Sequence, residues 1–191
     1  KLNMRDGFVG GMELEESIAA ARALAEDGAD ALVLSGGFVS RAPMHVMRGA
    51  MPTAVMSRLN QQWHLKVGLS LLGQRLVPPV PYTDNYFLPD ALEVMRAVKV
   101  PLVYIGGAAS RAAIDEALGH GFVAVAMARA LIRDPGFVRR LAAEDAAVAG
   151  CDHCNYCAAR IYTTSMACHH REPPPPALRR LLVLAESGRG A

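Results

Sequence analysis

The sequence lacks a long hydrophobic run, a surplus of charge of either sign and, outside one short window, any cysteine. No stretch of its 191 residues approaches the about 20 consecutive apolar residues that a membrane span requires. Lys plus Arg number 20 against 18 for Asp plus Glu, a formal net charge of +2. Nucleic acids and anionic membranes both select clustered positive charge, so this balance gives no reason to expect either as a partner. All 4 cysteines lie from Cys151 to Cys168, which leaves no thiol to staple distant segments. A secreted scaffold would spread its cysteines, and a reducing, cytoplasmic setting is expected instead.

What is present is 52% apolar residues in short runs, which argues against disorder and for one folded core. From Glu13 to Asp27 the residues Leu14, Ile18, Ala21, Leu24 and Ala25 recur at helical spacing, and Gly28 ends the helix. Ala31 to Leu34 follows as a continuous apolar strand ending at Ser35-Gly36-Gly37, the pattern of a parallel sheet covered on both faces. The same grammar returns in the helix Ala91 to Ala97, the strand Leu102 to Ile105 and the pair Gly106-Gly107. It returns again in a helix capped by Ser110, the strand Phe122 to Ala126 and a short helix from Ala130 to Arg133. With the strand fragment at Lys1 to Asn3 there are four βα units, the alternation of a (β/α) barrel or a doubly wound sheet.

A complete eightfold barrel takes about 250 residues, so the expected fold is α/β, half of a TIM (β/α)8 barrel, with unpaired edges that invite a partner half or a homo-oligomer. The chain is expected to be truncated at its start, because Lys1-Leu2-Asn3 reads as the tail of a strand. The domain reading is a half-barrel over 1–150, a Cys-rich motif over 151–170, and a Pro-rich spacer with a C-terminal helix over 171–191. Phe38 to Met51 forms a long loop where barrel enzymes place substrate contacts. Leu65 to Phe87, with Pro78, Pro79 and Pro81, is expected to be irregular rather than one long helix.

Glycine pairs at strand ends allow positive φ and close backbone approach, and barrels commonly hold a phosphate after their last two strands. Ala128-Arg129 opens a helix directly after the last strand, which adds amide donors and a guanidinium suited to a phosphate monoester. Ordinary turn glycines and a surface arginine are the competing reading.

Lys1-Leu2-Asn3, Ser35-Gly36-Gly37, Val100 to Gly107 and Val125 to Pro135 stand in the order seen in old yellow enzymes. The chain resembles that family, and within it the NADH:flavin oxidoreductase and 2,4-dienoyl-CoA reductase branch. It departs from the usual pattern at Ala128, where glycine is customary. The resemblance implies the C-terminal half of an FMN-binding TIM barrel, with NAD(P)H as reductant and a small enone or enoyl substrate. It implies that Lys1 stabilises negative charge near the flavin N1 and O2, and that Gly106, Gly107, Ala128 and Arg129 hold the FMN phosphate. Ser35, Gly36 and Gly37 would line the flavin or the substrate. The family's substrate-orienting pair and proton-donating tyrosine would lie upstream of Lys1, so no catalytic residue is assigned, and Tyr82, Tyr86 and Tyr104 are not promoted to that role.

Cys151-x2-Cys154-x2-Cys157-x10-Cys168 puts three thiols close together and a fourth one loop away. Four thiolates suit an iron–sulfur cluster or a tetrahedral zinc, and the three-plus-one grouping favours [4Fe–4S]; free or structural thiols remain open. The spacing also resembles the cluster motif of the dienoyl-CoA reductase and trimethylamine dehydrogenase branch, including Asn155. His153, His169 and His170 could serve as alternative ligands or stand as solvated loop residues. No Gly-x-Gly-x-x-Gly follows a strand, so a second nucleotide-binding domain is not expected within the chain and direct hydride delivery from NAD(P)H is the simpler route. The competing functions are a non-catalytic half-barrel that binds a phosphate ligand or a partner half, and another phosphate-binding barrel such as an aldolase or isomerase.

Overall fold

The computed structural model describes residues 1–161 and 166–180. Its elements run β1 (Leu2–Asn3), α1 (Leu14–Glu26), β2 (Leu32–Ser35), α2 (Pro43–Met47), α3 (Thr53–Leu59), α4 (Trp63–Leu76) and α5 (Leu88–Ala97). They continue through β3 (Leu102–Tyr104), α6 (Arg111–Gly119), β4 (Ala124–Val125), α7 (Arg129–Arg133), α8 (Phe137–Ala143) and α9 (Tyr156–Arg160). The sheet is parallel throughout, in the order β1-β2-β3-β4, with Leu2 opposite Leu34, Val33 opposite Val103 and Tyr104 opposite Val125. The chain is therefore α/β. No helix among the described residues is long and apolar enough to cross a membrane.

Local chemistry explains the element ends. The backbone N–H of Glu13 donates to the Glu16 carboxylate at 3.0 Å, closing the first turn of α1, and the Ser17 hydroxyl donates to the Asn3 carbonyl at 2.8 Å, fixing α1 to β1. Pro89 falls in the first turn of α5, where its missing N–H costs nothing, so this helix begins earlier than the apolar periodicity alone suggests. Ser110 accepts from the Ala113 N–H at 3.2 Å and starts α6 as expected.

The main core lies under the sheet and joins Leu2, Leu32, Leu34, Leu102 and Tyr104 to Leu14, Ala21, Ala91, Val94 and Ala117. Burying a leucine or valine of this kind contributes roughly 1.5–3 kcal/mol. Two smaller clusters flank it. Val55 of α3 packs with Cys154, Tyr156 and Ala159, and Phe137 of α8 packs with Ala130, Ala147 and Ala149.

Two expectations need correction. Much of the stretch from Leu65 to Phe87 belongs to α4, a helix of 14 residues, because Pro78, Pro79 and Pro81 all lie beyond its end and never interrupt it. The loop from Phe38 to Met51 contains the short helix α2, started by Pro43 in its first turn. Of the expected C-terminal helix, residues 176–180 are helical and residues 181–191 lie outside those described.

Candidate cofactor site and thiol cluster

Beyond β3 the chain passes through Gly106 at φ +150° and Gly107 at φ +90°. A Cβ on Gly107 would stand 2.8 Å from Tyr86 Cδ1 and 2.9 Å from the Thr83 carbonyl, so the close approach of residues 83–86 already demands a glycine here. Beyond β4 the chain reaches Ala128 and then Arg129 at the head of α7. Gly106, Gly107, Ala128 and Arg129 border a single cavity of about 240 Å³, together with Tyr82 and Tyr86. That is under the roughly 300–1,000 Å³ of pockets that enclose a whole drug-sized ligand.

The Arg129 guanidinium is held from two sides. Its Nη1 donates to the Met47 carbonyl at 2.8 Å, the Arg48 carbonyl at 2.7 Å and Asn155 Oδ1 at 2.8 Å. These bonds engage one arm of a five-donor fork. Asn155 is 1% exposed and sits at φ 57°, and its Nδ2 donates to the Met47 carbonyl at 2.8 Å and the Ala50 carbonyl at 2.7 Å. One left-handed asparagine thus ties the loop after β2, the arginine and the cysteine segment together. In the sequence Asn155 stands out only as part of the cysteine spacing; the further signal is the tolerance of asparagine for the left-handed region.

Tyr82 and Tyr86, which border this cavity, and Tyr104 beneath Gly106 all have backbone partners. Tyr86 donates to the Val46 carbonyl at 2.7 Å, Tyr104 donates to the Gly106 carbonyl at 2.7 Å, and the Tyr82 hydroxyl lies between Asp84 and the Gly107 carbonyl. Burial pushes all three phenols above their ordinary value, with Asp84 adding to the effect on Tyr82. The His153 ring stacks on Tyr82 with centroids 3.3 Å apart.

The first glycine pair lies elsewhere. Gly36 is covered by Phe87, whose Cζ would be 2.7 Å from an added Cβ. The Gly37 N–H donates to the Arg5 carbonyl at 2.7 Å, and its own carbonyl accepts from Asn3 Nδ2 at 3.1 Å. Ser35, Gly36 and Gly37 are absent from the border of the 240 Å³ cavity, as is Lys1. Lys1 is exposed and precedes β1, next to the Leu2 that pairs with Leu34. Phe87, 2% exposed, stands between the two strand ends, since an added Cβ on Gly106 would also meet it, at 2.7 Å from its Cβ.

Cys151, Cys154, Cys157 and Cys168 are free thiols that border one small cavity, with Arg129 and Asn155 on the same border. Burial raises the thiols of Cys151, Cys154 and Cys157 above their ordinary value. Asp152 Oδ2 lies 2.9 Å from Nε2 of both His169 and His170, and Asp152 Oδ1 accepts from the Cys154 N–H at 3.2 Å. Burial alone would raise the Asp152 carboxyl, but the bonds from Cys154, His169 and His170 hold it well below the usual carboxylate range. These ligand atoms of Asp152, His169 and His170 lie within 4.8 Å of one another and form a possible metal donor set that excludes the thiols. His153 stays with Tyr82, apart from that set.

The chain is 38% identical over 164 residues to the 4,4'-dithiodibutanoate disulfide reductase of Rhodococcus erythropolis. The match takes in 85% of this chain and 40% of that protein, so the chain spans about 40% of the length of the curated relative. That relative is by its name an oxidoreductase. No family model matches the chain, and no solved structure matches it.

Proposed function

We propose that the chain is part of an FMN-dependent oxidoreductase of the old yellow enzyme type, its sheet the C-terminal half of a (β/α)8 barrel. The observation that carries this reading is the convergence of Gly106, Gly107, Ala128 and Arg129 on one cavity. The sequential order β1-β2-β3-β4 supports a barrel over a doubly wound sheet, whose strand order reverses at its centre. The cavity of about 240 Å³ would take the phosphate and ribityl end of the cofactor.

FMN, when bound, supplies hydride chemistry, with NAD(P)H as its reductant. Arg129, held by Met47, Arg48 and Asn155, presents a fixed positive charge to the phosphate, so little reorganisation is needed on binding. Gly106 and Gly107 would offer backbone to the phosphate at the cavity border, while their Cβ positions are closed by Phe87 and by residues 83–86. Lys1 would offset negative charge on the reduced ring. The acceptor is an electrophilic bond in a small molecule. The name of the Rhodococcus relative favours an organic disulfide, and the family resemblance an activated C=C bond of an enone or enoyl compound.

A [4Fe–4S] cluster proposed on the four thiols rests on their soft donor chemistry and spacing alone, because the cavity they border is only about 10 Å³ and, among the described residues, the side chains gathered at ligating distance are Asp152, His169 and His170. Titration of the full-length protein with FMN tests the main reading. A yellow complex absorbing near about 450 nm, weakened at least tenfold in affinity by Arg129→Met, is expected, at roughly 1.5–3 kcal/mol for a charge-assisted contact. A protein that takes up no FMN would overturn the assignment. Iron and acid-labile sulfide in anaerobically prepared protein test the thiols.

A further inference from the structure

The near-neutral total of the chain hides a segregation. Between Asp30 and Asp84 there is no carboxylate, while Arg41, Arg48, Arg58, Lys66 and Arg75 fall in the same stretch. Its outermost part is the hairpin of α3 and α4. On α4 the spacing of four places Trp63, Val67, Leu71 and Arg75 along one outward stripe, with Trp63 75% and Leu71 76% exposed. Leu65, Leu72 and Leu76 are exposed beside that stripe, and Gly73 is the buried residue of the helix, against Thr53. An amphipathic surface helix normally turns such residues inward. Here the apolar face looks out.

The hairpin also carries a cationic cleft. Two cavities of about 330 and 370 Å³ share Ser57, Arg58 and Ser70, and the second is bordered by Lys66, Val67 and Leu71. Positive charge and hydroxyls therefore lie directly beside the exposed leucines.

We propose that the α3–α4 hairpin docks on an anionic phospholipid surface, with α4 in the plane of the interface and a lipid phosphate between Arg58 and Lys66. A helix of 14 residues is about 21 Å long, short of the roughly 30 Å hydrocarbon core, so it lies on the membrane rather than across it. The charge pattern favours lipid over a second copy of the chain. A two-fold contact through this face would set Arg58, Lys66 and Arg75 against their own counterparts, with no carboxylate in the stretch to relieve them.

Trp63 is the 1 tryptophan of this chain and reports directly on the contact. The full-length protein is mixed with vesicles of phosphatidylcholine alone or with about 30% phosphatidylglycerol, an anionic surface of physiological kind. Vesicle flotation is read together with the emission difference between wild type and Trp63→Phe. The proposal expects flotation with the anionic vesicles, a blue shift of Trp63 emission on binding, and release by salt. Leu71→Glu should lower partition at least about tenfold, and Lys66→Glu with Arg75→Glu by a similar factor. Absence of flotation from wild type, or flotation as strong on phosphatidylcholine alone, would refute it. So would Trp63 emission already blue-shifted in vesicle-free protein: if independent of concentration, another part of the protein covers the helix; if rising with concentration, a second copy does.

Discussion

Replacing Asn155 dissects the tie between the cavity and the cysteine segment. Its side chain makes three hydrogen bonds, to Met47, Ala50 and Arg129, while its backbone holds φ 57°. Asn155→Gly keeps that backbone free of strain and deletes the amide. The two bonds to carbonyls are worth about 1 kcal/mol each and the bond from the guanidinium about 2, so the glycine variant should lose about 4 kcal/mol. Asn155→Ala deletes the same bonds and adds the left-handed strain of a side chain without a local partner, about 1 kcal/mol more. Asn155→Asp keeps an acceptor for Arg129 but turns a carboxylate oxygen toward the Met47 and Ala50 carbonyls, so it should cost at least as much as the glycine. Against a typical total of 5–15 kcal/mol these are large fractions. Urea unfolding at constant m-value reads all three variants. If glycine and alanine prove equal, or both fall within about 1 kcal/mol of wild type, the network does not hold the fold as argued.

Gly36→Ala and Gly106→Ala should each destabilise by about 1–3 kcal/mol through overpacking against Phe87, with Gly106→Ala costing more because a side chain is also strained at its φ of +150°. Phe87→Leu should rescue Gly36→Ala, which meets the ring tip, and not Gly106→Ala, which meets the Cβ; urea midpoints of the single and double variants decide it. Burial, with Arg48 nearby, holds the His45 imidazole below its ordinary value. The unfolded chain then binds that proton more readily than the folded one, so stability present above the ordinary imidazole range is lost as pH falls through and below it. His45→Gln should flatten this slope in melting temperatures taken across that range. Cys154→Ser, in a thiol packed with Val55 and Tyr156, should abolish cluster iron and also weaken FMN binding by at least about fivefold through Asn155 and Arg129; unchanged FMN affinity with iron lost would show the two sites to be uncoupled.

The sheet was legible because each buried strand is a continuous apolar run closed by glycine, from Leu32 to Leu34 and from Leu102 to Tyr104. Helix α4 was harder to read, since Pro78, Pro79 and Pro81 follow it closely enough to colour the whole window. The convergence of Gly107 with Arg129 could be foreseen from strand-end logic. The placing of Gly36 could not, because a strand-end glycine looks the same whether it makes room for a ligand or for the ring of a distant phenylalanine. Summed charge misleads for a related reason: +2 describes the chain, while the stretch between Asp30 and Asp84 carries cations alone.

Arg129 shows why a site can be half-visible in sequence. Its position after the last strand suits the proposed anion, and that is a local property. What makes it rigid comes from two distant places, the Met47 and Arg48 carbonyls and the Asn155 amide. A guanidinium on an unsupported loop would lose much of its binding free energy to ordering, and one fixed beforehand does not. The thiol segment, by delivering Asn155, is therefore part of the arginine's support as well as a candidate ligand set. An event that remodels the segment from Cys151 to Cys157, whether metal loading or oxidation, would reach the cavity both through that amide and directly through His153 and Cys157, which border it.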